Sequence, residues 1–325
     1  MKLSNVYGFL KKDLQEIEDS LTNIIDAEHP ILREASLQLL RAGGKRIRPV
    51  FVLLSGHFGN YEQNKEDIKT VAVALELIHM ATLVHDDVVD DAALRRGKPT
   101  VKHLYGDRVA MYTGDYMLAR ALEVITSIKD PKIHRVLSKT LVQVVEGEIS
   151  QIEDKYNLDQ QLRDYLRRIK RKTALLIATS CKLGAIASGA TSKQANQVYR
   201  YGYNVGMSFQ IIDDILDFTA SPKELGKPTG SDLIQGNITL PIFYAMNESS
   251  FYEALKSLFA QREEINEQDI EPILTLLKET DAMEQSYQLS NLYLHKSLQE
   301  MRSMPNNRAK RTLQMIASYM GKRRF

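Results

Sequence analysis

The chain reads as all-α, and three features of its pattern say so. Apolar residues recur every three to four positions near both ends, at Leu10, Leu14, Ile17, Leu21, Ile24 and Ile25 and again at Leu313, Ile316, Ala317 and Met320, the period of a helix with one face against a core. The 90 residues between Pro131 and Pro222 contain no proline, which suits long helices. No stretch bounded by turn residues sustains the two-residue alternation of a half-buried strand, and the nearest fragment, residues 101–105, is too short to argue for a sheet.

Taken in order, the elements have identifiable starts and ends. Asp130-Pro131 and Ser221-Pro222 each place a capping residue before proline at a first helical position. Residues 71–89 and 205–218 are apolar on nearly every side, so both segments belong inside a bundle. Each runs into aspartates, Asp86, Asp87, Asp90 and Asp91 in the first and Asp213, Asp214 and Asp217 in the second. Each is then followed by a loop rich in Gly, Pro and basic residues. A length of 325 residues carries a soft prior of two domains. The recurrence of the acidic ends without a repeated sequence between them favours one domain over residues 1–325, a bundle of long antiparallel helices around a central cavity.

Composition excludes several classes of protein. With 43% apolar and 26% charged residues the chain can build a large core and is neither disordered nor low in complexity. A net charge of +2 gives no basic excess for nucleic-acid binding. The single cysteine, Cys181, excludes an intrachain disulfide and a multi-cysteine zinc site and fits a reducing compartment. The first 20 residues are too charged for a signal peptide, and the apolar stretch 173–191 is interrupted by Lys182, so a cytoplasmic location is expected.

The aspartates carry the chemistry. In each Asp-Asp-x-x-Asp the first and last residues are four apart, about 40° around a helix and one turn along it, so their oxygens can address one cation. Acids at the negative end of a helix dipole, repelling one another behind an apolar segment, need a compensating positive charge. Oxygen donors without nearby cysteines favour Mg²⁺, which completes its shell with water and phosphate oxygens, and that points to a phosphorylated substrate. Gly43-Gly44-Lys45-Arg46-Ile47-Arg48-Pro49 gathers three cations in a glycine-led turn that a phosphate can approach. No nucleotide cradle and no activated nucleophile is present in the sequence.

These blocks, in this order, resemble the trans-isoprenyl diphosphate synthase family. They are Gly43–Pro49, Glu76-Leu77-Ile78-His79 leading into His85-Asp86-Asp87-Val88-Val89-Asp90, Arg95-Arg96-Gly97, Gly114-Asp115, Glu146-Gly147-Glu148 with Gln151, Lys172-Thr173, Phe209-Gln210-Ile211-Ile212-Asp213-Asp214 with Asp217, and Gly226-Lys227. The resemblance implies condensation of isopentenyl diphosphate with an allylic diphosphate, farnesyl diphosphate being the expected primer, in an isoprenoid-synthase bundle. It implies that Asp86, Asp90 and Asp213 ligate Mg²⁺, three ions with bound diphosphate, supported by Asp87, Asp214 and Asp217. It places the allylic diphosphate on Arg95, Lys172 and Lys227, and isopentenyl diphosphate on Lys45, Arg48, His79 and Arg96. The Thr173 carbonyl and the Gln210 amide oxygen would face the allylic cation. Asn237 stands where the family often has lysine, which removes one diphosphate contact and resembles the catalytic components of two-part hexaprenyl and heptaprenyl diphosphate synthases.

Product length follows from sterics. Ala81 and Thr82, five and four residues before Asp86, are small where short-chain members of the family carry bulky floors. A helix of ~20 residues is ~30 Å long, comparable with some six extended isoprene units, so a C30 or C35 all-trans product is expected. The tail would end near Met111, Leu118 or Leu122. The resemblance further implies a small non-catalytic partner in a heterodimer or else a homodimer, transient membrane contact on product release, and a role in quinone side chains such as that of menaquinone. The rival readings are a homodimeric synthase of another chain length, a non-catalytic subunit and a terpene cyclase. The retained second Asp cluster weighs against the last two.

Overall fold

The computed structural model describes residues 6–95, 97–220 and 229–321. Helices account for 77% of the chain and strands for 1%, in agreement with the all-α expectation. In order the helices are α1 (Lys11–Ile24), α2 (Pro30–Arg41), α3 (Ile47–Gly56), α4 (Lys65–Val89), α5 (Val101–Ile125), α6 (Pro131–Glu153), α7 (Leu162–Ile169), α8 (Leu175–Ala187), α9 (Ser192–Thr219), α10 (Ser231–Ile234), α11 (Leu240–Ala245), α12 (Ser249–Phe259), α13 (Glu267–Lys278), α14 (Ala282–Met301) and α15 (Arg308–Gly321). Pro131 opens α6 as expected, with the Asp130 carboxylate accepting from the Lys132 amide at 2.8 Å. Ser221-Pro222 lies outside the described residues.

One element was not foreseen. Leu94–Arg95 (β1) and Lys98–Pro99 (β2) pair antiparallel in a two-residue ladder, while residues 101–105, the most strand-like in sequence, are the first turn of α5. The chain gathers into two compact units, Met1–Ser138 with Thr179–Tyr199 and Ser303–Met315, and Lys139–Ala178 with Arg200–Arg302 and Ile316–Phe325.

The first unit is organised on α4, which packs chiefly against α5 and α3. Every α3 residue from Pro49 to Gly56 is buried, and so are most of those on α4 from Ile68 to Val84. By length and composition α4 is a candidate membrane span, but 67% of its apolar window is buried in the protein, as befits a core helix. Ion pairs fasten α1 along it. Lys65 meets Asp13 at 2.9 Å, and Lys69 meets Glu16. The hairpin is seated on the end of α2, where Lys98 Nζ donates to the Arg41 carbonyl at 3.1 Å and Gln38 Nε2 to that of Pro99 at 2.9 Å.

The second unit has two apolar clusters. One joins α7 to the second half of α9 through Tyr165, Ile169, Met207, Ile211, Ile215 and Leu216. The other, around Leu233, Ile242, Phe251, Leu255 and Ile273, holds the helices from α10 to α13. Arg168, 6% exposed, ties the loop after α6 to the segment before α11, donating to Gln160 Oε1 at 2.8 Å and to the Ile238 carbonyl.

Candidate active site

The first acidic cluster sits where α4 stops. Asp86 and Asp87 occupy its last turn, and Asp90 is the C-cap, its amide donating to the Asp86 carbonyl at 2.8 Å. Asp91 then takes a left-handed conformation (φ 50°) that turns the chain toward the hairpin. Asp86 and Asp90 are half-buried. Asp87 is only 2% exposed, and Arg95 Nε donates to its Oδ1 at 2.7 Å. Burial raises the Asp87 pKa, and the Arg95 guanidinium pulls part of that rise back. Arg95, expected on a diphosphate, is thus held by the carboxylate next in sequence to Asp86, and the short ladder of β1 and β2 brings it there.

His85 has a place that sequence reasoning did not assign. Its Nε2 lies 3.3 Å from Asp115 Oδ1 and its ring covers Gly114, where an added Cβ would stand 2.2 Å from Nε2. The Gly114-Asp115 block on α5 is therefore a seat for this ring. Further up α4, Thr82 Oγ1 donates to the His79 carbonyl at 2.8 Å, so its hydroxyl is satisfied within its own helix. Ala81 is buried at 2% exposed. On α5, Leu118 is half-buried whereas Met111 and Leu122 are 40% and 44% exposed.

The three cations of the glycine-led turn separate. Gly43 (φ +75°) reverses the chain after α2, Lys45 is exposed and Arg48 is half-buried in the first turn of α3. Arg46 goes inward. It is 9% exposed and left-handed (φ 45°), a conformation costing a non-glycine residue ~1–2 kcal/mol. Its guanidinium donates to Glu76 Oε1 at 3.0 Å, to Glu18 Oε2 at 3.1 Å and to the Leu40 carbonyl at 3.2 Å. Arg96 and Lys227 lie outside the described residues.

The second acidic cluster lies within α9. Asp213 is half-buried, whereas Asp214 and Asp217 are 3% and 1% exposed. Asp214 accepts from the Tyr165 hydroxyl at 2.7 Å and from Gln210 Nε2 at 2.9 Å. Burial, with the charge of Asp232, pushes its pKa up to about 7 against these two hydrogen bonds. Asp217 accepts from Ser231 Oγ at 3.0 Å and from the Asp232 amide at 3.1 Å, capping α10 from a distance.

Lys172 and Thr173 occupy a π turn, Lys170–Ala174, in which the Leu175 amide reaches back five residues to the Lys170 carbonyl. Such a turn shifts the helical register by one residue and releases a carbonyl from the ladder. Two glycines let neighbouring helices close on it. A Cβ at Gly206 would be 2.5 Å from Ala174 Cα, and one at Gly147 would be 2.5 Å from Arg171 Cβ. One turn beyond each glycine stands a polar partner. Thr173 Oγ1 donates to Gln210 Oε1 at 2.6 Å, and Lys172 Nζ donates to Gln151 Oε1 at 2.9 Å. Gln210, anchored through its nitrogen to Asp214, thus has its amide oxygen turned to Thr173.

The donor set suits a hard divalent ion. Among the described residues no three His, Cys, Asp or Glu side chains gather on one point, which fits an ion that takes one or two carboxylates and fills its shell with water and phosphate oxygens. Asp86, Asp90 and Asp213 retain solvent access for that purpose, while Asp87, Asp214 and Asp217 are engaged by the protein.

Comparison with known proteins points the same way. Residues 29–277 match the polyprenyl synthetase family model. The chain is 57% identical, over all 325 residues and 92% of the relative, to heptaprenyl diphosphate synthase component 2 of Bacillus subtilis. It matches the crystal structure of heptaprenyl diphosphate synthase from Staphylococcus aureus with a TM-score of 0.92 at 40% identity, covering 100% and 99% of the two chains. A polyprenyl synthase from Caulobacter crescentus, complexed with calcium and isoprenyl diphosphate, matches with a TM-score of 0.93 at 28% identity, covering 100% and 98%.

Proposed function

The chain belongs to the polyprenyl synthetase family and is a prenyltransferase, and from that premise we propose that it is the catalytic component of a two-part heptaprenyl diphosphate synthase. Its primer is farnesyl diphosphate, extended head-to-tail by isopentenyl diphosphate to a C35 all-trans product, with a small non-catalytic chain as partner. The observation that carries the reading is the division of labour in each Asp-Asp-x-x-Asp, where the first carboxylate keeps solvent access and the second is locked by the protein.

Asp86, Asp90 and Asp213 are the carboxylates we assign to Mg²⁺. When bound, such ions neutralise the charge that collects on a departing diphosphate. Lys172, held by Gln151, supplies a further positive charge on the leaving group. As the allylic C–O bond breaks, the electron pair leaves with the diphosphate. The carbocation left behind meets the Thr173 carbonyl and the Gln210 amide oxygen, both fixed by the hydrogen bonds around the π turn. The isopentenyl double bond then attacks, and the proton lost from the new chain passes to the released diphosphate. Lys45, Arg48 and His79 are assigned to isopentenyl diphosphate, and Ala81 and Thr82 leave room for the growing tail. The lone buried Cys181 fits a cytoplasmic setting, and quinone side chains are the proposed destination of the product.

The test is turnover of purified chain with Mg²⁺, farnesyl diphosphate and labelled isopentenyl diphosphate, with and without a candidate small subunit. A C35 product supports the reading, and no product under any pairing overturns it. Ala81→Phe should shorten the product, and an unaltered chain length would refute the steric assignment.

A further inference from the structure

We propose that the buried pair Arg46 and Glu76, with Glu18 behind it, is the positioning device for the isopentenyl diphosphate residues, an inference that rests on the proposed function above. Both residues belong to sequence blocks whose other members were assigned to substrate, yet neither one reaches it. Arg46 lies between Lys45 and Arg48, and Glu76 lies one helical turn before His79 on the same face of α4. The bond from Arg46 Nη1 to Glu76 Oε1, 3.0 Å long between residues 9% and 3% exposed, therefore fixes the loop that carries two of the anion-binding side chains to the helix that carries the third.

The surroundings of Arg46 are built for registry. Its guanidinium fork spends its donors on three separate elements, on Glu18 of α1, the Leu40 carbonyl of α2 and Glu76 of α4. Its own carbonyl accepts from the Val50 amide at 3.1 Å and so starts α3, the helix on which Arg48 stands. The Lys45 carbonyl is held in turn by the Tyr7 hydroxyl at 3.3 Å. The left-handed backbone of Arg46 is what sends its side chain inward while its neighbours turn elsewhere. Two acids neutralise this one arginine, so its charge is absorbed within the protein, and Lys45 and Arg48 are left to act on the ligand. A rigid frame of this kind matters because a misplacement of ~1 Å in a binding constellation can cost ~100-fold.

Titration calorimetry on the purified full chain tests this, with isopentenyl diphosphate as one probe and farnesyl diphosphate with Mg²⁺ as the other. Glu76→Gln should weaken isopentenyl diphosphate binding by about 10- to 100-fold and leave farnesyl diphosphate within about twofold. The double variant R46M/E76L removes both charges together and is expected to keep the fold, since apolar replacement of a buried pair is often neutral or stabilising. Its affinity for isopentenyl diphosphate should stay low even where its melting temperature equals that of the wild type. Wild-type affinity in the folded double variant, or equal loss of both ligands in Glu76→Gln, would overturn the inference. Failure of the unmodified chain to bind isopentenyl diphosphate at all would instead sink the functional reading beneath it.

Discussion

The two acidic clusters share a pattern of letters and differ in how the fold treats each letter. In both, the first aspartate keeps access to solvent and the second is buried, but the second is compensated by opposite means. Asp87 faces a full positive charge from Arg95, whereas Asp214 faces only the dipoles of Tyr165 and Gln210. The last aspartates also diverge, since Asp90 ends its helix half-buried while Asp217 is sealed inside and caps α10. An arginine is an economical partner at a helix end beside a hairpin that reaches water. In the interior of α9 neutral donors do the same work without burying a second ion.

Replacing the first members should have the largest effect and should treat the clusters alike. Asp86→Ala and Asp213→Ala are each expected to lower turnover by at least ~1,000-fold with helicity intact by circular dichroism, and activity within tenfold of wild type in either would break the equivalence. The second members should part company. Asp87→Asn strands Arg95 and should cost about 1–3 kcal/mol in chemical unfolding, less than a fully buried pair because the Arg95 side chain is 28% exposed. Next comes Asp217→Ala, which removes the remote cap of α10 and should cost ~1 kcal/mol in the same measurement.

Asp214→Asn should be the mildest and should sharpen the contrast. Its carboxyl is raised to about 7 in the folded chain, so the stabilising protonated form is fully present below the unfolded value near 3.8 and is lost as the pH rises through 7. Thermal unfolding in chelator should therefore show the wild type losing stability from pH 4 to 7 more steeply than Asp214→Asn. Parallel curves for the two proteins would show that the carboxyl does not titrate there.

Much of this was legible in the sequence. The two buried helices, the proline at the start of α6 and the terminal amphipathic helices follow from period and capping, which are local properties. So does the grouping of the aspartates. What was not legible depends on partners far away along the chain. A turn with three cations gives no sign that Arg46 points inward, because its backbone conformation and its partners Glu18 and Glu76 are set by packing of α1 and α4. Nothing near Asp214 announces Tyr165, 49 residues earlier. The hairpin escaped because two-residue strands have no period to detect. The glycines at 114, 147 and 206 were quoted as parts of motifs without a reason, and the reason is a ring or a helix lying against each.

The π turn at Lys170–Ala174 makes one residue of this chain count for more than its length. Deleting any single position there would let the ladder close regularly while rotating everything downstream by ~100°. Thr173 and the side of α8 that follows would then be out of phase with α7. Among related sequences, a one-residue gap in this stretch is thus a change of orientation, and aligning through it as ordinary length variation would pair faces that never meet.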